Sequence, residues 1–230
     1  MSRTLDLREL DEAGVAVLTA AVAAAGLVCF PTDTVYGIGG TVAASTVAAI
    51  ARVKRRAPDK PLQVIYPTVE RLLAEVLPPP RLSAALQRLL PGPFTLVVPY
   101  PPRLSCPPPA FAEWPGAPGA AARRLATLGV RVPAWPAGAQ ALARLPFALL
   151  ASSANPSGDD DPAALAQVAP TVRAACDLLL DAGPTAGVSS CVLDLSGYEA
   201  GLGYRVLRPG AVPAVEIDAL LGGDEGRTVS

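Results

Sequence analysis

Prolines and glycines, 26 and 20 of them in 230 residues, fix turns throughout this chain and limit how far any one element can run. The chain is nonetheless 51% hydrophobic, well above what a disordered segment carries. Aromatic residues make up only 5%, so a core must come mainly from Ala, Val and Leu. A chain of this length supports one domain with a sizeable core, or at most two small ones.

The spacing of Val15, Leu18 and Val22 predicts a helix over 10–25, ended by Gly26 and followed by a short buried strand over 27–30. A second helix is predicted over 45–57, where Pro58 stops it, then a strand over 61–66. Helices over 69–77 and 81–90 come next. Further strands are predicted at 95–98, 130–132, 148–150, 177–180, 191–195 and 204–207. Interleaved helices and strands point to an α/β sheet domain rather than a bundle or a sandwich. The proline-rich stretch 99–119 reads as a long surface loop, a candidate lid, and the tail after Gly222 as frayed.

A formal net charge of -1 gives no general nucleic-acid coat and no polybasic membrane anchor, but leaves room for a small nucleotide cleft. There is no histidine, which removes Ser-His-Asp and Cys-His catalysis and the commonest neutral-pH base. Chemistry must then rest on positioned charge, on a metal held by ligand oxygens, or on one substrate acting on another. Cys29, Cys106, Cys176 and Cys191 lie far apart without a CxxC pair, which fits neither a structural zinc site nor a disulfide scaffold. The uncharged stretch 13–32 has the length of a membrane span, yet it is alanine-rich and closes on Phe30-Pro-Thr-Asp33. Mixed charges precede it, unlike a signal peptide. It reads as a buried helix and strand of a cytoplasmic protein with no membrane contact.

Arg52-Val-Lys-Arg-Arg-Ala-Pro-Asp-Lys60 concentrates positive charge in a nearly neutral chain and marks a local anion site. Val47, Ile50 and Ala51 form the apolar stripe of the helix before it, and the same spacing reaches Lys54. A lysine ending a buried stripe either snorkels to water or points into a cleft and neutralises an anion. Arg52 and Arg55 fall on the solvated surface, and Lys54, Arg56 and Lys60 toward the cleft.

Pro31-Thr-Asp-Thr-Val-Tyr-Gly37 follows a buried strand, at the carboxyl edge where α/β sheets bind ligands. An Asx- or ST-turn accounts for the same residues. It is neither a P-loop nor a dinucleotide fingerprint. Ser152-Ser-Ala-Asn-Pro-Ser-Gly158 is another polar strand end, able to bind phosphate, carboxylate or ribose, or simply to close a turn. Arg131 alternates out of a hydrophobic strand and so faces solvent or a ligand. Asp159-Asp-Asp161 reads as a solvated loop rather than a magnesium site. Cys191 reads as a buried thiol rather than a nucleophile.

The segments PTDTVYGIG (31–39), KRRAPDKPLQV (54–64), PGPFTLVV (91–98), VRVP (130–133), SSANPSG (152–158), DAGPTAGVSSCVLD (181–194) and LRPGA (207–211) occur in family order over nearly the whole chain. Together they resemble the YrdC/Sua5 family of threonylcarbamoyl-adenylate synthases. The resemblance implies a single α/β YrdC-like domain over 1–222, with a twisted mixed β-sheet flanked by helices and a concave, positively charged cavity. A flexible tail over 223–230 would follow. It implies a nucleotidyltransferase that takes ATP, with magnesium on the triphosphate and few or no protein ligands to it. L-threonine and bicarbonate would be joined into threonylcarbamoyl-AMP with release of pyrophosphate. The product would pass to a tRNA threonylcarbamoyl-transfer complex acting on adenosine 37, and the length matches the short bacterial form.

On this resemblance Lys54 and Arg56 hold the carboxylate and the phosphates, with Lys60 close by. Thr32 and Thr34 sit around the threonine and the reaction centre. Ser153 and Asn155 line the site, with Ser157 flanking it and Arg131 along its wall. Ser190 contacts substrate, and Arg208 closes on the adenylate. The chain departs from the family pattern at Ser152, where proline is usual, at Trp135, where histidine is, and at Ser189 and Cys191, in place of an acid and a threonine. A threonine usual after the Ser-Gly turn is also missing, near Ala163 and Ala164. Trp135 could instead stack on adenine. Two other readings fit the same segments: a carbamoyl-adenylating or carbamoyl-transfer domain, and a non-catalytic module binding nucleotide or double-stranded RNA.

Overall fold

The computed structural model describes residues 2–55, 62–99, 127–156 and 158–222. The candidate lid beyond Pro99, the tail over 223–230, Cys106 and three candidate site residues, Arg56, Lys60 and Ser157, lie outside the described residues.

One ten-stranded sheet organises the chain. Its strands are β1 (Arg3–Asp6), β2 (Val28–Phe30), β3 (Gly37–Thr41), β4 (Gln63–Ile65), β5 (Phe94–Pro99), β6 (Thr127–Arg131), β7 (Leu149–Ser153), β8 (Leu178–Asp181), β9 (Cys191–Asp194) and β10 (Arg205–Arg208). They lie in the order β1-β8-β2-β3-β7-β4-β6-β5-β9-β10. Parallel pairs such as β4 with β6 occur beside antiparallel ones such as β3 with β7, so the sheet is mixed, as expected.

The helices are α1 (Glu12–Ala24), α2 (Ala44–Lys54), α3 (Val69–Val76), α4 (Pro80–Leu89), α5 (Pro170–Ala175) and α6 (Ala214–Leu221). Asp11 starts α1 by accepting the Gly14 N–H at 2.8 Å, and Thr68 caps α3 through the Arg71 N–H at 3.2 Å. Val15, Leu18 and Val22 are the buried stripe of α1, as their spacing predicts.

Helix α2 departs from expectation by ending at Lys54 rather than running to residue 57. Arg55 turns left-handed at φ 48°, and its N–H closes on the carbonyls of Ala51 and Arg52. The turn stops the helix before Pro58 can.

The two faces of the sheet differ. On one face Ile38, Val64, Leu96, Val130, Leu150 and Leu193 pack in a core with Ile50 of α2, Leu72 of α3, Leu86 of α4 and Ile217 of α6. On the other, α1 and a 3-10 segment (Ala137–Arg144) cover Val28, Phe30, Ile65, Leu149, Leu178 and Leu180. Strands β4, β6, β5, β9 and β10 carry polar residues onto this second face. Arg131 lies in register with Ile65, and Arg208 with Val192, which in turn opposes Thr95. Alternation puts Gln63, Thr95, Arg131, Ser190 and Arg208 on this same side.

Strand β3 was not expected, because glycine disfavours strands. Gly39 is required there: a Cβ on it would fall 1.9 Å from the Leu150 carbonyl oxygen of β7. The close approach joins the Thr32–Tyr36 turn to the end of β7, and the two sides of the site with it.

Candidate functional site

Two strand ends meet at the head of the sheet. The loop before β3 folds on Thr32, whose hydroxyl donates to the Val35 carbonyl at 2.7 Å and accepts the Thr34 and Val35 N–H groups, each at 3.3 Å. This is the ST-turn that the sequence allows. Because the Thr32 proton is committed to Val35, the 3.0 Å contact between the two threonine hydroxyls is donated by Thr34. Both hydroxyls are buried, and their lone pairs face Arg131.

Arg131 ends β6 and is only 2% exposed. Its Nη2 donates to Thr34 Oγ1 at 2.6 Å, to Thr32 Oγ1 at 3.4 Å and to the carboxylate of Asp33. Asp33 accepts a second bond, 3.0 Å from the Ala134 N–H, so one carboxylate fixes the guanidinium and the chain leaving β6. The Arg131 Nε is buried with no hydrogen-bond partner among the described residues. Burial pulls the guanidinium pKa down, Asp33 draws it back up, and the charge of Arg208 lowers it further. In strand register the two arginines stand on the same side of the sheet, one on β6 and the other on β10.

Arg208, on β10, donates from Nη2 to the Ser190 carbonyl at 3.0 Å and to the Ser190 hydroxyl at 3.2 Å. Gly210 lets its loop approach, since a Cβ there would sit 2.4 Å from the Ser189 carbonyl oxygen. Ser190 is buried and also touches Thr95 at 2.8 Å.

Lys54 ends the buried stripe of α2 and is 5% exposed. Its ammonium donates to the Ser153 carbonyl at 2.7 Å, the Asn155 carbonyl at 2.6 Å and Asn155 Oδ1 at 2.9 Å, with Ser153 Oγ at 3.4 Å. Ser153 in turn donates to Asn155 Oδ1 at 2.6 Å. The stripe thus carries Lys54 inward, away from Arg52 and Arg55, which are exposed. Lys54 holds the end of β7 in shape, and through the Ala154 N–H on the Tyr36 carbonyl at 2.9 Å that end is tied to the threonine turn.

The structure therefore brings Thr32, Thr34 and Arg131 into one cluster, Lys54, Ser153 and Asn155 into a second, and Ser190 with Arg208 into a third. Asp33, Gln63 and Thr95 belong to these surroundings without having been named as site residues. Gln63, Thr95 and Arg131 each interrupt an apolar run at a period of two, and that signal could have found the first two.

Two readings are corrected. Trp135 is 9% exposed, packs in the core beneath α1 and donates its indole N–H to the Pro67 carbonyl at 2.9 Å, so it is not free to stack on a base. Asp161, read as part of a solvated loop, is half-buried and accepts from the Ser189 hydroxyl, whereas Asp159 and Asp160 are exposed. Cys191 is a buried thiol, as expected. Burial pushes the Cys176 thiol up to about 12 and raises that of Cys29 as well.

The family model described as "Telomere recombination", spanning Sua5, YciO and YrdC, matches residues 20–210. The chain belongs to this family. It is 30% identical to the threonylcarbamoyl-AMP synthase of Pyrococcus abyssi over 96% of its own length, and spans 62% of that relative. It is 32% identical to a putative threonylcarbamoyl-AMP synthase of Mycobacterium tuberculosis, over 97% of both chains. Among solved structures, P. abyssi Sua5 complexed with L-threonine superposes with a TM-score of 0.75 at 29% identity, covering 100% of this chain and 63% of that one. E. coli YciO shares the fold, with a TM-score of 0.73 at 18% identity over 93% of this chain and 98% of the other. No helix among the described residues is long and apolar enough to cross a membrane.

Proposed function

We propose that this chain is a nucleotidyltransferase that condenses L-threonine, bicarbonate and ATP into threonylcarbamoyl-AMP, releasing pyrophosphate and water. The observation that carries this reading is the placement of Arg131 and Arg208 on the polar half of one sheet face, in a chain of this family. Relatives named threonylcarbamoyl-AMP synthase support the reaction, and a threonine-bound Sua5 supports the amino-acid substrate.

The amine of threonine attacks carbon dioxide formed from bicarbonate, and a carbamate oxygen then displaces pyrophosphate from the α-phosphorus. No covalent nucleophile is needed, which suits a chain without histidine. The protein aligns the reactants and neutralises negative charge as it develops. Arg131 takes a carboxylate or phosphate oxygen within a cluster shaped by Thr32, Thr34 and Asp33. Lys54 keeps Ser153 and Asn155 in place beside the nucleotide and, with Arg56 and Lys60, adds positive charge toward the carboxylate and the phosphates. Ser157 flanks the nucleotide side, and Arg208, anchored on Ser190, closes over the adenylate.

Among the described residues no group of three or more acidic, cysteine or histidine side chains could hold a metal ion. Magnesium would enter with the triphosphate of ATP. The product would pass to a tRNA threonylcarbamoyl-transfer complex. The test is pyrophosphate release from ATP: it should require threonine and bicarbonate together, and release that ignores either one contradicts the proposal. Serine in place of threonine reports how closely the site reads the side-chain methyl group.

A further inference from the structure

A line of hydrogen bonds spans five neighbouring strands on the polar face, from β4 over β6 to β10. Thr95 Oγ1 donates to Gln63 Oε1 at 2.7 Å, and an amide oxygen can only accept. A threonine hydroxyl has one proton, so the 2.8 Å contact between Thr95 and Ser190 must be donated by Ser190. Ser190 Oγ is then left with lone pairs, one of which accepts from Arg208 Nη2 at 3.2 Å. With the Gln63 amide oxygen turned toward Thr95, the direction of each bond is fixed in turn.

The backbone makes room for this line. Gly129 of β6 sits in register between Gln63 of β4 and Val97 of β5. A Cβ on Gly129 would lie 3.7 Å from Thr95 Cγ2 and 3.7 Å from the Gln63 Cα, so a longer side chain would stand between the two. Thr95 is itself buried and cannot take its partner from solvent.

Building on the proposed synthase reading, we propose that Thr95 and Gln63 are positioning residues. They fix the Ser190 hydroxyl as an acceptor, and through it they hold the Arg208 guanidinium over the site. Without Thr95, the Ser190 proton is free to rotate toward Arg208, where it opposes a donor. The guanidinium then keeps only its bond to the Ser190 carbonyl.

The test is Thr95→Val, close to isosteric, with Thr95→Ser as the conservative control. Loss of one such bond predicts a KM for ATP raised about 3- to 10-fold with kcat nearly unchanged, and recovery in Thr95→Ser. In an Arg208→Met background, Thr95→Val should add no further loss, because its effect passes through Arg208. Equal losses in both backgrounds overturn the proposal.

A second readout needs no turnover. In the chain labelled with 15N-arginine, the Arg208 resonances, assigned with Arg208→Met, should show hindered rotation about the Cζ–Nη bonds. Thr95→Val should free that rotation and Thr95→Ser should restore it; identical spectra in all three overturn the proposal. Absence of pyrophosphate release from the unsubstituted chain would count against the synthase reading, while the arginine spectra still decide this one.

Discussion

Arg131 and Asp33 form a buried ion pair whose parts were unevenly visible in the sequence. Arg131 could be seen leaving an apolar strand, but its partner stands 98 positions away in a turn that reads equally well as a simple cap. Only the sheet order, with β6 beside β4, brings that turn and that strand end together. Removing one partner of such a pair strands a charge in a poorly solvated place. Asp33→Asn should therefore destabilise the fold by about 3–5 kcal/mol in urea unfolding. A loss below about 1 kcal/mol would mean that the pair carries little of the fold's electrostatic balance. Lys54 shows the other side of legibility. Its helical register predicted an inward side chain, whereas its acceptors, Ser153 and Asn155, lie a hundred positions downstream and depend on where β7 ends.

At the scale of elements, the long periodic segments were legible and the punctuated ones were not. Helices α1, α3 and α4 fall within a residue or two of their predicted spans. Strand β1, with its charged edge sequence, and helices α5 and α6, which begin at or just after a proline, carried too little periodicity to be recognised. The end of α2 was misjudged because an arginine, and not a glycine, adopts the left-handed turn that terminates it. A side chain at φ 48° costs about 1–2 kcal/mol relative to glycine. Arg55→Gly should therefore raise stability by roughly 1 kcal/mol, part of the gain being offset by glycine's greater freedom in the unfolded chain. The check is the urea midpoint at constant slope, and a lower midpoint would contradict the account of this turn.

For the molecule as a whole, the α/β class and the mixed sheet were readable, but not which half of which face is polar. That depends on nonlocal strand order, since β4, β6, β5, β9 and β10 are neighbours in space and scattered in sequence. The absence of histidine does have a consequence for the whole chain. No histidine contributes to stability between about pH 5 and 8, so the curve there should be nearly flat. On the acid side, hydrogen bonding to Arg8 lowers Asp6 from 3.8 to about 2, and Arg144 lowers Glu12. Asp194 is also lowered: burial opposes this, but its bonds to Ser196 and Arg205 prevail.

A carboxylate with a depressed folded pKa stabilises above its unfolded pKa, and that contribution is lost as pH falls through the folded value. Stability should therefore decline between about pH 4 and pH 2, as followed by thermal melting across that range.

Arg208, anchored on Ser190, is proposed to serve adenylation by this chain. Mass detection of threonylcarbamoyl-AMP after incubation with ATP, bicarbonate and L-threonine tests it most directly, with the unsubstituted chain and Arg208→Met side by side. Product is expected from the first and a large loss from the second at unchanged melting temperature. Product formed equally by both, or by neither, would contradict it.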